Sequence, residues 1–239
     1  MGVNRGWRRG ILITFEGVEG SGKTTQLTRL AKRLREDGHR VVETREPGGT
    51  ARAERIRDIL LDAKTENART EPMVPASEAL LILAGRSQHV TQRIQPALRD
   101  GAVVLCDRFS DSTFAYQGYG RGLSITLLRR LNRFATHGVT PDLTLLFDLP
   151  VSLGLARRRR SERKQNRLDH ETQRFHEKVR QGFLKLAARH SQQIKVINAR
   201  ADPETIAAEV DAIVRHFLAK RRKSKVTRRR PTIQKVHRR

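Results

Sequence analysis

The clearest chemical spacing in the chain is Gly17-Val18-Glu19-Gly20-Ser21-Gly22-Lys23-Thr24, which meets the pattern G-x-x-x-x-G-K-[ST] at every fixed position. Glycines so placed let backbone N–H groups converge on phosphate oxygens, and Lys23 then reaches the β and γ phosphates of a bound nucleotide. Thr24 offers a hydroxyl ligand for Mg²⁺, and Thr25 belongs to the same cradle. An ordinary glycine turn is the plain alternative, and the flanks argue against it. Ile11 to Phe15 is apolar and β-branched, as a buried parallel strand requires. Beyond Thr24, Leu27, Leu30, Ala31 and Leu34 recur on one helical face. A strand, a glycine loop and a helix N-terminus together make an anion site.

Cations recur farther along. Ala102 to Cys106 reads as a buried strand ending in Asp107-Arg108, at the carboxyl end where ligands of parallel α/β sheets bind. A basic run, Arg157-Arg158-Arg159-Arg160-Ser161-Glu162-Arg163-Lys164, lies on a segment too polar for a core, with Arg157, Arg160 and Lys164 expected on one helical face. Taken singly, the run is a solvated helix face and Asp107-Arg108 an ion pair. With the glycine loop, they suit two phosphate groups facing one another, as in a nucleoside monophosphate kinase. An acceptor phosphate is already ionised at pH 7, so such a site positions groups and neutralises charge. It must also exclude water, which a closing arginine-bearing lid achieves.

The positioning elements follow in order. Residues 1–9 read as a flexible basic arm, and Gly38 closes the first helix. Arg40 to Thr44 is a short strand running into Arg45-Glu46-Pro47-Gly48-Gly49-Thr50, where a cis Glu46-Pro47 bond is an option and trans the default. Ala51 to Leu61 is helical, Asp62 to Pro75 a surface loop, and Ala76 to Leu98 one long helix with Ile82 and Arg86 on one face. Phe109 to Gly122 reads as a site wall, not a core element; alone, its Phe114 and Tyr116 suit a core equally. Helices over Ser124 to His137, Val151 onward, Glu171 to Ser191 and Pro203 to Ala219 alternate with strands at Leu143 to Leu149 and Ile194 to Asn198. Five strands alternating with helices imply an α/β fold, a doubly wound five-stranded parallel sheet of the P-loop NTPase type, with a small lid over about residues 155–168.

The net charge of +24 suggests a nucleic-acid binder until it is divided. Residues 220–239 hold eleven Lys or Arg and no acid, and residues 1–9 hold three arginines. The remainder suits a protein that binds two polyanionic nucleotides. Residues 220–239 have neither apolar periodicity nor acids and are expected to be disordered. Cys106 is the only cysteine, which excludes an internal disulfide and suits a small core residue. No stretch approaches a membrane-spanning length and no apolar leader precedes the first strand, so a cytoplasmic location is expected. The histidines, His89, His137 and His170 among them, show no metal-ligand spacing.

Over residues 10–218 the chain resembles the bacterial thymidylate kinases. The resemblance rests on Glu16 to Thr25, on Arg45 to Thr50, on Asp107-Arg108-Phe109-Ser110-Asp111-Ser112-Thr113-Phe114-Ala115-Tyr116-Gln117-Gly118 and on Pro141-Asp142-Leu143-Thr144, in that order. It implies γ-phosphoryl transfer from Mg²⁺-ATP to dTMP, giving dTDP and ADP for dTTP synthesis, by a kinase domain spanning residues 10–219. ATP would lie on Gly17 to Thr25. The dTMP site would comprise Glu19 near the sugar, Arg45, Glu46, Ile82, Arg86 toward a thymine carbonyl, Arg108 on the acceptor phosphate, Thr113 and Gln117 near the base, and Tyr116 against the sugar 2′ position. Catalysis would rest on Lys23, Arg108 and the lid arginines Arg157 and Arg160, because the glycine loop carries Glu19 and Ser21 where some members have an arginine. A homodimer is also implied.

Two features depart from the family pattern. Ile82 stands where a phenylalanine often stacks on thymine, a loss of about 0.5 to 1.5 kcal/mol of aromatic preference that Phe109 or Phe114 could offset. The basic tail is no part of the family core and suits either weak contact with nucleic acid or another polyanion or a plain solvated extension. Three rival functions follow: a kinase for another deoxynucleoside monophosphate, a nucleic-acid-stimulated ATPase, and a catalytically silent dimerising module, against which Lys23, Arg108 and the lid arginines all stand.

Overall fold

The computed structural model describes residues 10–62, 71–161 and 166–227, the last six of these by their backbone alone. Five parallel strands, β1 (Ile11–Gly17), β2 (Val41–Arg45), β3 (Val103–Asp107), β4 (Leu143–Asp148) and β5 (Ile194–Asn198), form one sheet in the order β2-β3-β1-β4-β5. The central strand pairs on both sides, Ile13 opposing Leu105 and Leu143. β1, β3 and β4 are buried over nearly their whole length because helices cover both faces, whereas the edge strands β2 (Val-Val-Glu-Thr-Arg) and β5 (Ile-Lys-Val-Ile-Asn) are only partly buried. On one face, α1 (Lys23–Glu36) and α9 (Pro203–Thr227) pack Leu27, Leu30, Val210 and Val214 against Ile13, Phe15, Leu105 and Phe147. Phe15 and Phe147 stack with centroids 5.8 Å apart. Truncating fully buried Leu105 to Ala would cost roughly 2–5 kcal/mol.

The other face carries α3 (Pro75–His89), α4 (Gln95–Arg99), α5 (Ser110–Thr113), α6 (Ile125–Ala135) and α8 (Gln173–Arg189), while α2 (Ala51–Leu61) and α7 (Val151–Arg159) flank the carboxyl ends of the strands. Strand order reverses beside β1, which opens a crevice at the carboxyl ends of β1, β3 and β4. Gly17, Asp107 and Asp148 end those strands, so the phosphate loop and Asp107-Arg108 meet there.

Several sequence expectations need correction. Within the stretch from Phe109 to Gly122, residues 110–120 are helical, α5 followed by a π-helical turn over Phe114–Gly120, and Phe109, Phe114, Ala115, Tyr116 and Gln117 are buried. It is therefore core and site wall at once. Tyr116 meets Phe175 and Phe183 edge-on. The long helix after Pro75 contains a π-helical turn at Val90–Ile94. The last helix does not stop at Ala219: residues 220–227, expected to be disordered, continue it. Arg221 anchors this extension, its Nη1 donating to Asp142 Oδ1 at 2.6 Å while Asp142 Oδ2 accepts from Leu12 N. The Glu46-Pro47 bond is cis. The arm at residues 1–9, part of the loop after Asp62, lid residues 162–165 (Lys164 included) and tail residues 228–239 lie outside the described residues.

Candidate active site

The phosphate loop is shaped by close backbone approach. Gly20 has φ +70, and a Cβ there would lie 2.2 Å from Gly154 O in α7. Gly22 caps α1 at φ +83, a conformation that other residues adopt at a cost. Lys23 begins the helix and folds back into the loop, donating to Val18 O at 2.8 Å and Ser21 Oγ at 3.2 Å. Burial, aided by the neighbouring Arg108 charge, lowers its pKa to about 8 although Glu19, Asp107 and Glu16 favour the cation. Thr24 Oγ1 donates to Asp107 Oδ2 at 2.6 Å, which brings two hard oxygen atoms together at the mouth of the loop.

Arg108 stands at the centre of the crevice. Its backbone is left-handed, φ 69, an uncommon conformation for a side-chain-bearing residue and one that turns the guanidinium back over the loop. Nη1 donates to Gly17 O at 2.9 Å and Ser112 Oγ at 3.2 Å, and Nη2 to Glu19 Oε1 at 2.7 Å. Tyr116 OH shares that carboxylate at 3.1 Å, and the Tyr116 ring lies under the guanidinium with its centroid 5.1 Å away. Burial alone would raise the Glu19 carboxyl, but the Arg108 and Lys23 charges outweigh it and hold Glu19 at about 2. Buried Glu16 behaves oppositely. Burial and the Asp111 charge push it up to about 8 against hydrogen bonds from Ser112 and Phe109 N.

A groove of about 1200 Å³ runs from the phosphate loop past Asp107, Arg45, Arg57 and Arg108 to Arg157, Arg158 and Ser161. A smaller cavity of about 110 Å³ adjoins it, bounded by Ile82, Arg86, Phe109, Thr113, Tyr116 and Gln117. The two share Glu19, Glu46, Arg57 and Arg108. Arg86 is 2% exposed and almost saturated. Nε donates to Glu46 Oε2 at 2.7 Å, Nη1 to Thr113 Oγ1 and Asn132 Oδ1 at 2.8 Å each, and Nη2 to Phe109 O at 3.0 Å. A guanidinium has five N–H donors, so one on Nη2 remains for another acceptor. Glu46 also meets His89 Nδ1 at 2.9 Å, and His89 Nε2 meets Thr44 Oγ1 at 2.7 Å. Burial works against the Glu46 carboxylate, but Arg86 and His89 hold it below the usual range.

Two described stretches of the segment expected to form a lid, the end of α7 and the turn after Asn166, flank these spaces. Arg158, near the end of α7, forks onto Asp169 at 3.0 and 2.8 Å, and Asn166 caps a 3₁₀ turn over Arg167–His170. Asn166 and Leu168 of that turn line the smaller cavity.

The structure thus brings together most of the residues singled out in the sequence. Glu19, Gly20, Ser21, Gly22, Lys23, Thr24 and Thr25 line the groove, while Gly17 and Val18 shape it through their carbonyls. Glu46, Ile82, Arg86, Arg108, Thr113, Tyr116 and Gln117 all border the cavity. Arg45 reaches only the groove, with Nη2 paired to Glu54 at 2.8 Å. Arg157 lines the groove and donates to Ala199 O, whereas Arg160 follows the end of α7 and lines neither space. Phe109 borders the cavity, its ring carrying the Arg86 guanidinium at 5.2 Å, and Phe114 packs into the core instead.

Sequence reasoning missed Arg57, His89, Asn132, Glu78 and Arg167. Arg57 carried a legible signal, sitting one turn past Ala53 on the face of α2 that meets the turn at Pro47, whose carbonyl it binds at 2.8 Å. The others act through partners distant in the chain and give no local signal.

Comparison with known proteins agrees with this geometry. The thymidylate kinase family model matches residues 15–210. A thymidylate kinase of Geobacter sulfurreducens is 49% identical over 217 residues, covering 89% of this chain and all of that protein. One from Pelotomaculum thermopropionicum is 50% identical over 202 residues, covering 84% of this chain and 91% of its own. The crystal structure of thymidylate kinase from Ehrlichia chaffeensis superposes with a TM-score of 0.68 at 33% identity, over 86% of this chain and 99% of that one. With a phosphate loop, a second cavity and this likeness along about nine-tenths of its length, the chain belongs to the thymidylate kinase family.

Proposed function

We propose that the site performs the family's reaction, γ-phosphoryl transfer from ATP to dTMP giving dTDP and ADP, at the junction of its two spaces. The observation that carries this is the shared wall: the groove floored by the phosphate loop and the cavity floored by Arg86 meet at Arg57 and Arg108. The triphosphate lies on backbone N–H groups from Gly17 to Thr25, with Lys23 turning from Val18 O to its terminal phosphates. Arg108 and Arg57 hold the acceptor phosphate in line, and Arg45 adds charge at the groove's edge. The free Nη2 N–H of Arg86 addresses a thymine carbonyl, beside Thr113 and Gln117. Ile82 covers the base by apolar contact, and Tyr116 crowds the 2′ position of the sugar. Glu19, pinned between Arg108 and Tyr116, faces both substrates.

Thr24 and Asp107 would hold a hard divalent cation, since they set two oxygen atoms 2.6 Å apart beside the phosphate loop. Bound there, Mg²⁺ would neutralise charge on the β and γ phosphates. Among the described residues no cluster of three or more His, Cys, Asp or Glu side chains offers another metal site. From the lid, Arg157 and Arg158 border the groove and Arg160 stands just beyond; closure of the segment shields the phosphoryl group from water.

A homodimer suits the apolar side chains exposed on α3 and α6, Leu80, Leu127 and Phe134 among them. A cytoplasmic location suits a nucleotide kinase with no helix long and apolar enough to cross a membrane among its described residues. Weak polyanion binding suits the basic residues from Lys220 onward.

The test is Arg108→Ala. We expect KM for dTMP to rise about a hundredfold, consistent with loss of a buried charge-assisted contact, while ATP affinity changes far less. Loss of ATP binding with an unchanged KM for dTMP would place the acceptor phosphate elsewhere.

A further inference from the structure

The cavity and the lid are joined by a buried carboxylate outside both. Glu78 lies in the first turn of α3 and is 1% exposed. Its Oε1 accepts from Gln117 Nε2 at 2.7 Å and Arg121 Nε at 3.3 Å, and its Oε2 accepts from Arg121 Nη2 at 3.0 Å and Arg167 Nη2 at 2.5 Å. Gln117 lines the cavity. Arg167 belongs to the lid turn, between Asn166 and Leu168, which line the same cavity, and its Nε also donates to Leu60 O at the end of α2. Arg121 ties a second lid-side acid, Glu171, to the group and lies over the Phe175 ring at 4.5 Å.

The chemistry of this cluster is directional. A carboxylate accepts only, so it fixes the Gln117 amide with nitrogen inward and turns the amide oxygen away from Glu78. The two acids and two guanidiniums balance, so Glu78 is satisfied despite burial. Burial alone would raise its carboxyl, but hydrogen bonds from Arg121, Gln117 and Arg167 hold it below the usual range. One carboxylate therefore sets both the base-side amide and the seat of the lid turn, and displacing either partner changes the field on the other.

Resting on the assignment of the cavity to dTMP, we infer that Glu78 is a positioning residue coupling occupancy of the cavity at Gln117 to closure of the lid turn at Arg167. Neither the Gln117 amide nor the Arg167 guanidinium need move far. A ligand that engages Gln117 stiffens the Glu78 carboxylate, and the lid turn inherits the order.

The test is hydrogen exchange on the full chain, with and without dTMP, in wild type and Glu78→Gln, together with steady-state kinetics. In wild type, dTMP should slow exchange over residues 109–117 and over 166–171. Glu78→Gln should keep the first protection and lose the second, with kcat for transfer falling about tenfold and KM for dTMP changing less. If Glu78→Gln does not fold, Arg167→Gln serves, because Glu78 then keeps Arg121 and Gln117; the same split is expected. Equal protection of 166–171 in a folded variant, with 109–117 protected, would overturn the coupling alone. Protection of neither segment in wild type would overturn the cavity assignment and the coupling with it.

Discussion

Lys23 should take up a proton when a triphosphate binds above neutral pH. Burial and the adjacent Arg108 charge lower its pKa to about 8, whereas a polyphosphate beside it restores the preference for the cation. At pH 7 about nine in ten Lys23 side chains are already charged, so binding takes up only about 0.1 proton; at pH 8 the uptake is about 0.5 and at pH 9 about 0.9. The sign follows from the direction of the shift. Because the ligand selects the protonated form, affinity is full below pH 8 and falls as pH rises above it, about twofold at pH 8 and about tenfold at pH 9. Titration calorimetry with a non-transferable ATP analogue, repeated in buffers of different ionisation enthalpy, reads the uptake directly. Glu16, pushed up to about 8 by burial and Asp111, ionises over the same range, so Lys23→Met is run in parallel to remove the lysine contribution alone. A binding enthalpy independent of buffer at pH 9, or uptake undiminished in Lys23→Met, would refute the assignment.

Two further outcomes are expected. Glu46→Gln should destabilise the fold by about 3–5 kcal/mol in denaturant titration, because it leaves the Arg86 guanidinium buried without its acid. As the folded carboxyl lies below its ordinary value of 4.5, the stability that Glu46 supplies is present above that pH and lost as pH falls through the lowered value. In the tail, deleting residues 228–239 should leave kcat unchanged while weakening salt-sensitive binding to single-stranded DNA. Deleting 220–239 should additionally remove the Arg221 contacts with Asp142 and Gly10 O, at a cost of about 1 kcal/mol or less in thermal unfolding, as for a partly exposed pair.

The parts of this protein legible in its sequence are those set by local pattern. The three central strands are mostly apolar runs of the length a covered parallel sheet demands, and the glycine loop is marked by its own fixed spacing, so a short window carries both. Helical spacing puts Ile82 and Arg86 on one face, and it is the resemblance to thymidylate kinases that assigns that face to the base. What pattern does not encode is pairing across the fold. Glu78 meets Gln117 39 residues away and Arg167 89 residues away, and nothing near Glu78 in the chain marks it. His89 looked solitary because its partners, Thr44 and Glu46, lie on another strand and its loop. The stretch after Arg108 misled because its polar and aromatic mixture suits a surface wall, whereas α5 and the π-helical turn bury the aromatics and leave Arg108, Thr113 and Gln117 facing the cavity. The basic tail lacks apolar periodicity, yet the last helix runs on to Thr227 and Arg221 pairs with Asp142, a partner 79 residues away that no local pattern marks.

The most direct test of the two adjoining spaces is ADP release from Mg²⁺-ATP with dTMP, dUMP, UMP, dCMP, dGMP or AMP as acceptor, and with single-stranded DNA alone. The expected result is rapid release with dTMP, slower with dUMP, which lacks the 5-methyl group, little with dCMP, whose amino group replaces the carbonyl that Arg86 addresses, and little with UMP, whose 2′-hydroxyl Tyr116 crowds. Release driven by DNA and indifferent to every monophosphate would contradict it.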